Sequence, residues 1–274
     1  MLVAALLLSA VVAQSRPQVM PAEPLVLGET FTIESAVLKE VRRVNVYVPP
    51  GYRDTPSLRV PVLYMPDGGM AEDFPHIAGL IQIGVTNGTM RPFLLVGIEN
   101  TERRRDMTGP TAKDEDRKIA PRVGGSEAFR TFLRTELMPQ VKERYRTTGE
   151  TAIVGESLAG LFVVETLLRE PDLFDTYIAF DPSLWWNDGA LVTDAAAVLR
   201  SRSTQRKRLY LATSSEPGLV EVTERFAAVL EKGRFAGLDW QYHRMPEEQH
   251  STIYHPAALR AFRVLFKPRE RAER

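Results

Sequence analysis

The chain of 274 residues contains no cysteine, which excludes a disulfide-stapled fold and leaves no thiol for lipid attachment. It has no excess of charge either, because 35 Lys and Arg residues balance 35 Asp and Glu residues. A surface without a net field of one sign argues against nucleic acid or an anionic membrane as a partner. Apolar residues make up 44% of the chain, which excludes a disordered or collagen-like protein. The length suits one α/β domain of roughly 250 residues.

An uncharged apolar stretch occupies residues 1–13 and ends in Val11, Val12 and Ala13, small or β-branched residues of the kind that a signal peptidase accepts. The stretch is shorter than the roughly 20 residues of a membrane-spanning helix. It predicts a signal peptide at 1–13, a polar linker at 14–23 and a single domain at 24–274. We therefore expect a protein exported to the periplasm or the extracellular space, with no stable membrane insertion after processing. A buried or amphipathic N-terminal segment is the alternative.

Eight short runs rich in β-branched and apolar residues predict strands. They lie at 30–37, 42–48, 59–65, 92–98, 151–155, 176–180, 208–213 and 238–244. From the third run onward, segments with helical apolar spacing separate them, most clearly 126–145, where Pro139 predicts a kink. Alternating strands and helices predict a mostly parallel sheet with helices on both faces. The first two runs alternate and are joined by a short connection, which predicts an antiparallel hairpin at one edge.

A serine follows the fifth run at a predicted sharp turn. The segment GESLAG at 155–160 stands between the strand run and a helical run. Small residues on either side of such a serine let strand and helix approach closely, as in the nucleophile elbow G-x-S-x-G. Ser157 is therefore the predicted nucleophile, and a serine that only caps the next helix is the alternative.

A serine hydroxyl becomes nucleophilic when a histidine takes its proton. His250 lies in the polar loop directly after the last predicted strand, where the base follows the elbow in chain order. His76 precedes the elbow on a predicted surface helix, His243 lies within a strand run, and His255 lies at a helix start. These three are predicted to have structural roles, and His250 is the predicted base.

The third member of such a triad orients the imidazole and is expected after the strand predicted at 208–213. Glu216 lies in that loop, which gives the chain order serine, acid, histidine. Asp239 and Glu221 are alternative acids. Glu216 also fits a purely structural role as the cap of the helix that follows.

Attack on an ester places negative charge on the carbonyl oxygen, and backbone N–H groups stabilise that charge. Leu158, directly after the serine, is expected to supply one donor. The second is expected from the loop after the third strand, where two consecutive glycines allow close approach of the backbone. Gly69 is the predicted donor and Met70 the alternative, although the glycines also fit a simple tight turn.

Several segments together resemble one enzyme family. They are RVNVYVPPGY at 43–52, YMPDG at 64–68, GIENTERRRD at 97–106, ELMP at 136–139, the elbow, and DPSLWWN at 181–187. On these residues the chain resembles the putative-esterase (esterase D-like) family of α/β hydrolases, especially its IroE-like and Fes-like siderophore esterases. The resemblance implies an α/β-hydrolase fold, and it carries the family's serine, histidine and usual acid position to Ser157, His250 and Glu216. In some siderophore esterases of the family, the catalytic site is similar to a dyad of serine and histidine. The chain departs from the family pattern at two positions. It has Glu156 where His is common in the family, and Ala159 where the family has the second glycine of the elbow.

The same resemblance implies that Trp185 and Trp186 form a wall of the acyl pocket, although two adjacent tryptophans also commonly fill a core. Arg103 and Arg105 follow a predicted strand end and are candidates for binding an anionic substrate through charge-assisted hydrogen bonds. An ion-paired or solvated loop is the equal alternative for these arginines.

Together these residues predict an exported serine carboxylic-ester hydrolase that works through an acyl-enzyme and requires no cofactor. The expected partner is a small-molecule ester, of the siderophore type or an aromatic or sugar ester. No metal site is predicted, because His250 and His255 lie on a loop and at a helix start, without an H-E-x-x-H face. A secreted acyltransferase of the same fold and a catalytically silent ligand-binding protein are the alternatives.

Overall fold

The computed structural model describes residues 20–201 and 206–268. The predicted signal peptide at 1–13 and residues 14–19 of the predicted linker lie outside the described residues. The described part contains eight strands. They are β1 Glu29–Ser35, β2 Glu40–Tyr47, β3 Val60–Pro66, β4 Leu94–Ile98, β5 Thr147–Glu156, β6 Thr176–Phe180, β7 Lys207–Thr213 and β8 Leu238–Arg244.

These strands form one sheet in the order β1-β2-β4-β3-β5-β6-β7-β8. The pairs β1–β2 and β2–β4 are antiparallel, and every other neighbouring pair is parallel. The predicted fold class, a mostly parallel eight-stranded sheet with an N-terminal antiparallel hairpin, is therefore confirmed. The carboxyl ends of β3, β5, β6, β7 and β8 lie along the same edge of the sheet, because these strands run in one direction.

Nine α-helices accompany the sheet within the described residues. They are α1 Phe74–Thr86, α2 Arg103–Met107, α3 Asp114–Lys118, α4 Ser126–Phe132, α5 Met138–Arg144, α6 Leu158–Arg169, α7 Trp186–Arg200, α8 Pro217–Gly233 and α9 Tyr254–Leu265. Where the sequence predicts one kinked helix over 126–145, the structure has α4 and α5 joined by a π-helical turn, Leu133–Leu137. The turn precedes Pro139, which has no N–H to continue the regular hydrogen-bond pattern.

The two faces of the sheet carry two separate cores, because side chains alternate along each strand. On β3, Val62 and Tyr64 join the core beneath α4 to α8, whereas Leu63 and Met65 join the core beneath α1 and α9. Helices α1 and α9 also contact each other on their shared face. The loops that enter these two helices come from the carboxyl ends of β3 and β8, so the packing of α1 on α9 holds both loops at the same edge.

Candidate active site

Ser157 lies directly after β5 in a backbone conformation that residues other than glycine rarely adopt, with φ 60° and ψ −119°. Its N–H donates to the carbonyl of Phe180, 3.0 Å away, and its carbonyl accepts the N–H of Leu161 at 2.9 Å. A Cβ built on Gly155 would lie 2.6 Å from the backbone of Ala159. The missing side chain therefore lets β5 and α6 cross closely enough to hold Ser157 at the turn. The methyl group of Ala159 fits because Gly155 leaves the space for it.

The structure brings Ser157 and His250 together although 93 residues separate them in the chain. His250 Nε2 lies 3.1 Å from Ser157 Oγ, and His250 Nδ1 lies 3.0 Å from Asp181 Oδ2. A hydrogen bond from Nδ1 to a carboxylate leaves the lone pair on Nε2, directed at the serine hydroxyl. The three side chains thus form a continuous hydrogen-bonded series in which the histidine can accept the serine proton.

The acid in this series is Asp181, so the prediction that Glu216 orients the histidine is corrected. Asp181 follows β6 directly and has no exposed surface, and its carboxylate also accepts the N–H and the Oγ–H of Ser214 at 2.7 and 2.6 Å. Glu216 instead occupies the position before the first residue of α8, where its backbone carbonyl accepts the N–H groups of Leu219 and Val220. Its charge contributes to the raised pKa of His250 without a hydrogen bond to the ring in the part of the chain that the structure describes. The alternative acids Asp239 and Glu221 lie within β8 and within α8.

Backbone strain marks this edge of the sheet. Asp67, Ser157 and Asp181 directly follow β3, β5 and β6, and they have φ angles of 58°, 60° and 40°. Such angles are unfavourable for residues with a Cβ and persist where the surrounding structure enforces them. The coincidence of three strained residues at neighbouring strand ends indicates that this edge positions side chains for chemistry.

Sequence reasoning also missed Glu156 as a neighbour of the histidine. Its Oε1 lies 3.1 Å from His250 Nδ1, on the nitrogen that Asp181 already engages. Burial raises the pKa of Glu156 to about 8, against the opposing charges of His250 and Arg103. The hydrogen bond to Asp181, together with the nearby negative charges, raises the pKa of His250 above its ordinary value even though burial opposes the shift.

The two predicted oxyanion donors differ in whether their backbone N–H groups already have an acceptor. Leu158 is the first residue of α6, so its N–H has no acceptor within the helix. The N–H of Gly69 donates to Glu72 Oε2 at 2.6 Å. This carboxylate engages the predicted donor in the structure, and the oxyanion role of Gly69 stays a prediction. The N–H of Met70, the predicted alternative, is the next along the same loop.

The two predicted arginines have different surroundings. Arg105 donates to Glu40 and Asp106, as the ion-paired alternative expects, and its role in binding substrate stays a prediction. Arg103 forms a two-pronged pair with Asp67, with Nε and Nη2 at 2.7 and 2.9 Å from the carboxylate oxygens. Its charge also acts on Glu156, the carboxyl group next to the histidine.

The two tryptophans also separate. Trp186 is 4% exposed, and its Nε1–H donates to the carbonyl of Gly109 at 2.9 Å. It belongs to the core, so the prediction that it forms a pocket wall is corrected. Trp185 is 41% exposed. Its loop adjoins the nucleophile, because the N–H of Ser183 donates to the carbonyl of Ser157 at 3.0 Å. Trp185 therefore remains the aromatic candidate for substrate contact.

A cavity of about 470 Å³ lies next to Arg103. Its lining residues are Glu102, Arg103, Arg104, Arg105, Ala120, Pro121 and Arg122. Four of the seven are arginines, which makes the cavity suitable for an anionic group. Over the described ranges, no helix has the length and the apolar character needed to cross a membrane.

Comparisons with known proteins agree with this geometry. The family described as "Putative esterase" matches residues 35–261. The ferri-bacillibactin esterase BesA of Bacillus subtilis is 28% identical over 84% of this chain and 86% of its own length. The structure of an IroE-like serine hydrolase from Shewanella oneidensis superposes with a TM-score of 0.80 and 30% identity, covering 88% of this chain and 80% of that one. The BES protein from Bacillus cereus has the same fold, with a TM-score of 0.77 and 20% identity over 91% of this chain and 99% of that one.

Proposed function

The chain belongs to the "Putative esterase" family and is a carboxylic-ester hydrolase, and we propose that it cleaves its substrate through an acyl-enzyme formed on Ser157. The observation that carries the proposal is the hydrogen-bonded series from Asp181 through His250 to Ser157. A serine, a base and a buried acid at this spacing are what nucleophilic catalysis of acyl transfer requires.

In the proposed reaction, Ser157 Oγ attacks the ester carbonyl carbon while His250 Nε2 takes the hydroxyl proton. The N–H of Leu158 donates to the oxygen that becomes negatively charged. The imidazolium then gives its proton to the departing alcohol as the C–O bond breaks, which leaves the acyl group on Ser157. His250 next takes a proton from water, whose oxygen attacks the acyl carbon. The bond between the acyl carbon and Ser157 Oγ then breaks, the imidazolium returns its proton to Oγ, and the carboxylic acid leaves.

We propose a siderophore-type ester as the substrate. One support is the similarity to BesA, which is named for ferri-bacillibactin. The other is the arginine-lined cavity beside Arg103, because ferric complexes of catecholate siderophores are anions and guanidinium groups bind anions through charge-assisted hydrogen bonds. Trp185 offers an exposed aromatic face for a catechol ring.

A substrate panel tests this proposal. Purified protein is assayed with a ferric catecholate triester, a feruloyl sugar ester and p-nitrophenyl acetate, each with wild type and Ser157→Ala. We expect kcat/KM for the triester to be the highest by at least about tenfold, and Ser157→Ala to lose about 10³-fold or more on every ester. A higher kcat/KM for the feruloyl ester would contradict the siderophore assignment alone. Full activity of Ser157→Ala would contradict the nucleophile.

Added alcohol separates hydrolysis from acyl transfer. A hydrolase releases mainly free acid from p-nitrophenyl acetate in the presence of a sugar alcohol, whereas an acyltransferase releases mainly the new ester. We expect free acid, because the side chain of His250 is partly exposed and water reaches it.

We also propose that residues 1–13 direct export. Cell fractionation with N-terminal sequencing of the mature protein tests this. A processed protein in the periplasm or medium is the expected result, and an unprocessed protein in the cytosol would contradict it.

A further inference from the structure

Two histidines outside the active site face each other on neighbouring helices. His76 lies on the first turn of α1, and His255 is the second residue of α9. Their Nδ1 atoms are 3.3 Å apart, although 179 residues separate them in the chain. His255 is exposed and His76 is half-buried, so solvent ions reach both rings. Neither imidazole belongs to the hydrogen-bonded series at Ser157.

A carboxylate determines which nitrogen of His76 carries the proton. Asp73 Oδ1 lies 3.2 Å from His76 Nε2 and accepts its N–H, so the lone pair of the neutral ring lies on Nδ1. In the metal-free protein, the Nδ1–H of His255 donates to that lone pair. When this proton moves to Nε2, which needs no net loss of a proton, both Nδ1 lone pairs become available.

The separation of these two nitrogens suits one metal ion. Zinc binds imidazole nitrogen at about 2.0–2.1 Å, and two ligands of a tetrahedral ion are therefore about 3.3–3.4 Å apart. A metal-bound histidine commonly donates its other N–H to a carboxylate, which is the relation of His76 to Asp73. We propose that His76 and His255 bind a divalent transition-metal ion of the zinc type through Nδ1, with Asp73 orienting His76 and water completing the coordination.

Such an ion would join the starts of two helices. The segment before α1 includes Asp67 and Gly69, and the loop before α9 carries His250. An ion that binds the folded protein stabilises it by mass action, since unfolding separates the two ligands. The site escapes sequence analysis because its ligands lie on distant helices and form no local motif.

Zinc binding to the untagged full-length protein tests the proposal. Affinity is measured by competition with a chromophoric chelator, and Co²⁺ absorption reports the coordination geometry. We expect one site per chain. His76→Gln and His255→Gln each weaken binding by about tenfold or more, and Asp73→Asn weakens it by about tenfold. His243→Gln, a change of a half-buried histidine on β8, is the matched control and keeps wild-type affinity.

The hydrolase centre also groups a histidine with two carboxylates, Glu156, Asp181 and His250. His250→Gln distinguishes the two places and retains zinc affinity if the site lies at His76 and His255. Loss of binding in His250→Gln, or equal binding by wild type, His76→Gln and His255→Gln, would overturn the proposal. So would the absence of binding by wild type at millimolar zinc.

Discussion

The imidazole of His250 has two carboxylates at the same ring nitrogen. Asp181 is fully buried and anchored by both donors of Ser214, whereas the side chain of Glu156 is partly exposed and its Oε1 accepts no hydrogen bond within the described residues. The two acids are therefore not equivalent. Asp181 orients the ring, and Glu156 changes the electrostatic potential around it.

Replacement of Asp181 tests which acid orients the base. We expect Asp181→Asn to reduce kcat/KM by about 10³–10⁴-fold, because an amide at this position favours the wrong tautomer of His250. Glu216→Gln is the matched control and is expected to change kcat/KM by less than about threefold, since Glu216 acts on His250 through charge alone. The reverse pattern in steady-state assays would show that Glu216 is the triad acid.

The pH dependence of kcat/KM tests the role of Glu156. The proposed mechanism requires neutral His250, and nearby negative charge stabilises the imidazolium. We therefore expect activity to fall with decreasing pH through a pKa above the ordinary histidine value. Glu156 has a pKa of about 8 and titrates in the same range, so the two groups share protons.

Glu156→Gln removes the carboxyl group that shares these protons with His250. The imidazolium then loses a stabilising partner, so we expect the acid limb of the profile to move to lower pH. Glu221→Gln, a change at an exposed position on α8, leaves the limb in place. An acid limb that stays unchanged or rises in Glu156→Gln would contradict this role.

The sequence contains a signal for Asp181 as the partner of His250, but it cannot distinguish Asp181 from an acid after the next strand. An aspartate directly after a buried strand is a signal for a site at the carboxyl edge of a parallel sheet. Strands β6 and β7 are neighbours, however, so acids after either strand approach the same histidine. The choice depends on the positive φ of Asp181 and on the two hydrogen bonds from Ser214, and neither appears in a pattern of residue types. The hydrogen bond of the Gly69 N–H could not be predicted for a similar reason, because it depends on Glu72 folding back three residues to accept it.

Among the elements, the crossing of β5 and α6 is the one on which the nucleophile depends. A Cβ on Gly155 would meet the backbone of Ala159 at 2.6 Å, and backbone cannot yield as a flexible side chain does. We expect Gly155→Ala to lower the free energy of unfolding by about 1–3 kcal/mol and to reduce kcat by displacing Ser157.

Gly79 on α1 provides the matched control, since a Cβ there meets nothing within 4 Å. Gly79→Ala is expected to raise the free energy of unfolding by about 0.5–1 kcal/mol, because alanine favours the helix. Urea unfolding measures the free energy of unfolding of both variants. Equal stability of the two variants would contradict the close crossing.

Strand segments with an apolar or alternating pattern could be predicted closely from sequence, and polar strand ends less so. The run predicted at 176–180 coincides with β6, whose five residues are all buried. Strand β5 begins at Thr147, four residues before the predicted start, because its first residues are polar and exposed and give no apolar signal. Hydrophobic patterning reports burial, so it misses the part of a strand that pairs outside the core.

The whole molecule has no net charge, so attraction of the proposed anionic substrate would depend on a local concentration of cationic side chains. The arginine-lined cavity beside Arg103 provides such a local concentration of cationic side chains. We expect Arg104→Gln to raise KM severalfold for an anionic ester and to weaken its dependence on salt, while p-nitrophenyl acetate is unaffected. Arg117→Gln, which removes an exposed arginine outside the cavity, is the control. An equal effect on both esters would contradict a role for the cavity in charge recognition.

The sheet brings Ser157, Asp181 and His250 from three strand ends to one place, and this arrangement is expected to make the serine hydroxyl reactive. Mass spectrometry after treatment with a fluorophosphonate measures this reactivity most directly, because Oγ displaces fluoride and forms a stable adduct only where a base activates it. We expect one adduct per chain, located on Ser157 and lost in His250→Gln. An adduct on another residue, or equal labelling of His250→Gln, would contradict this expectation.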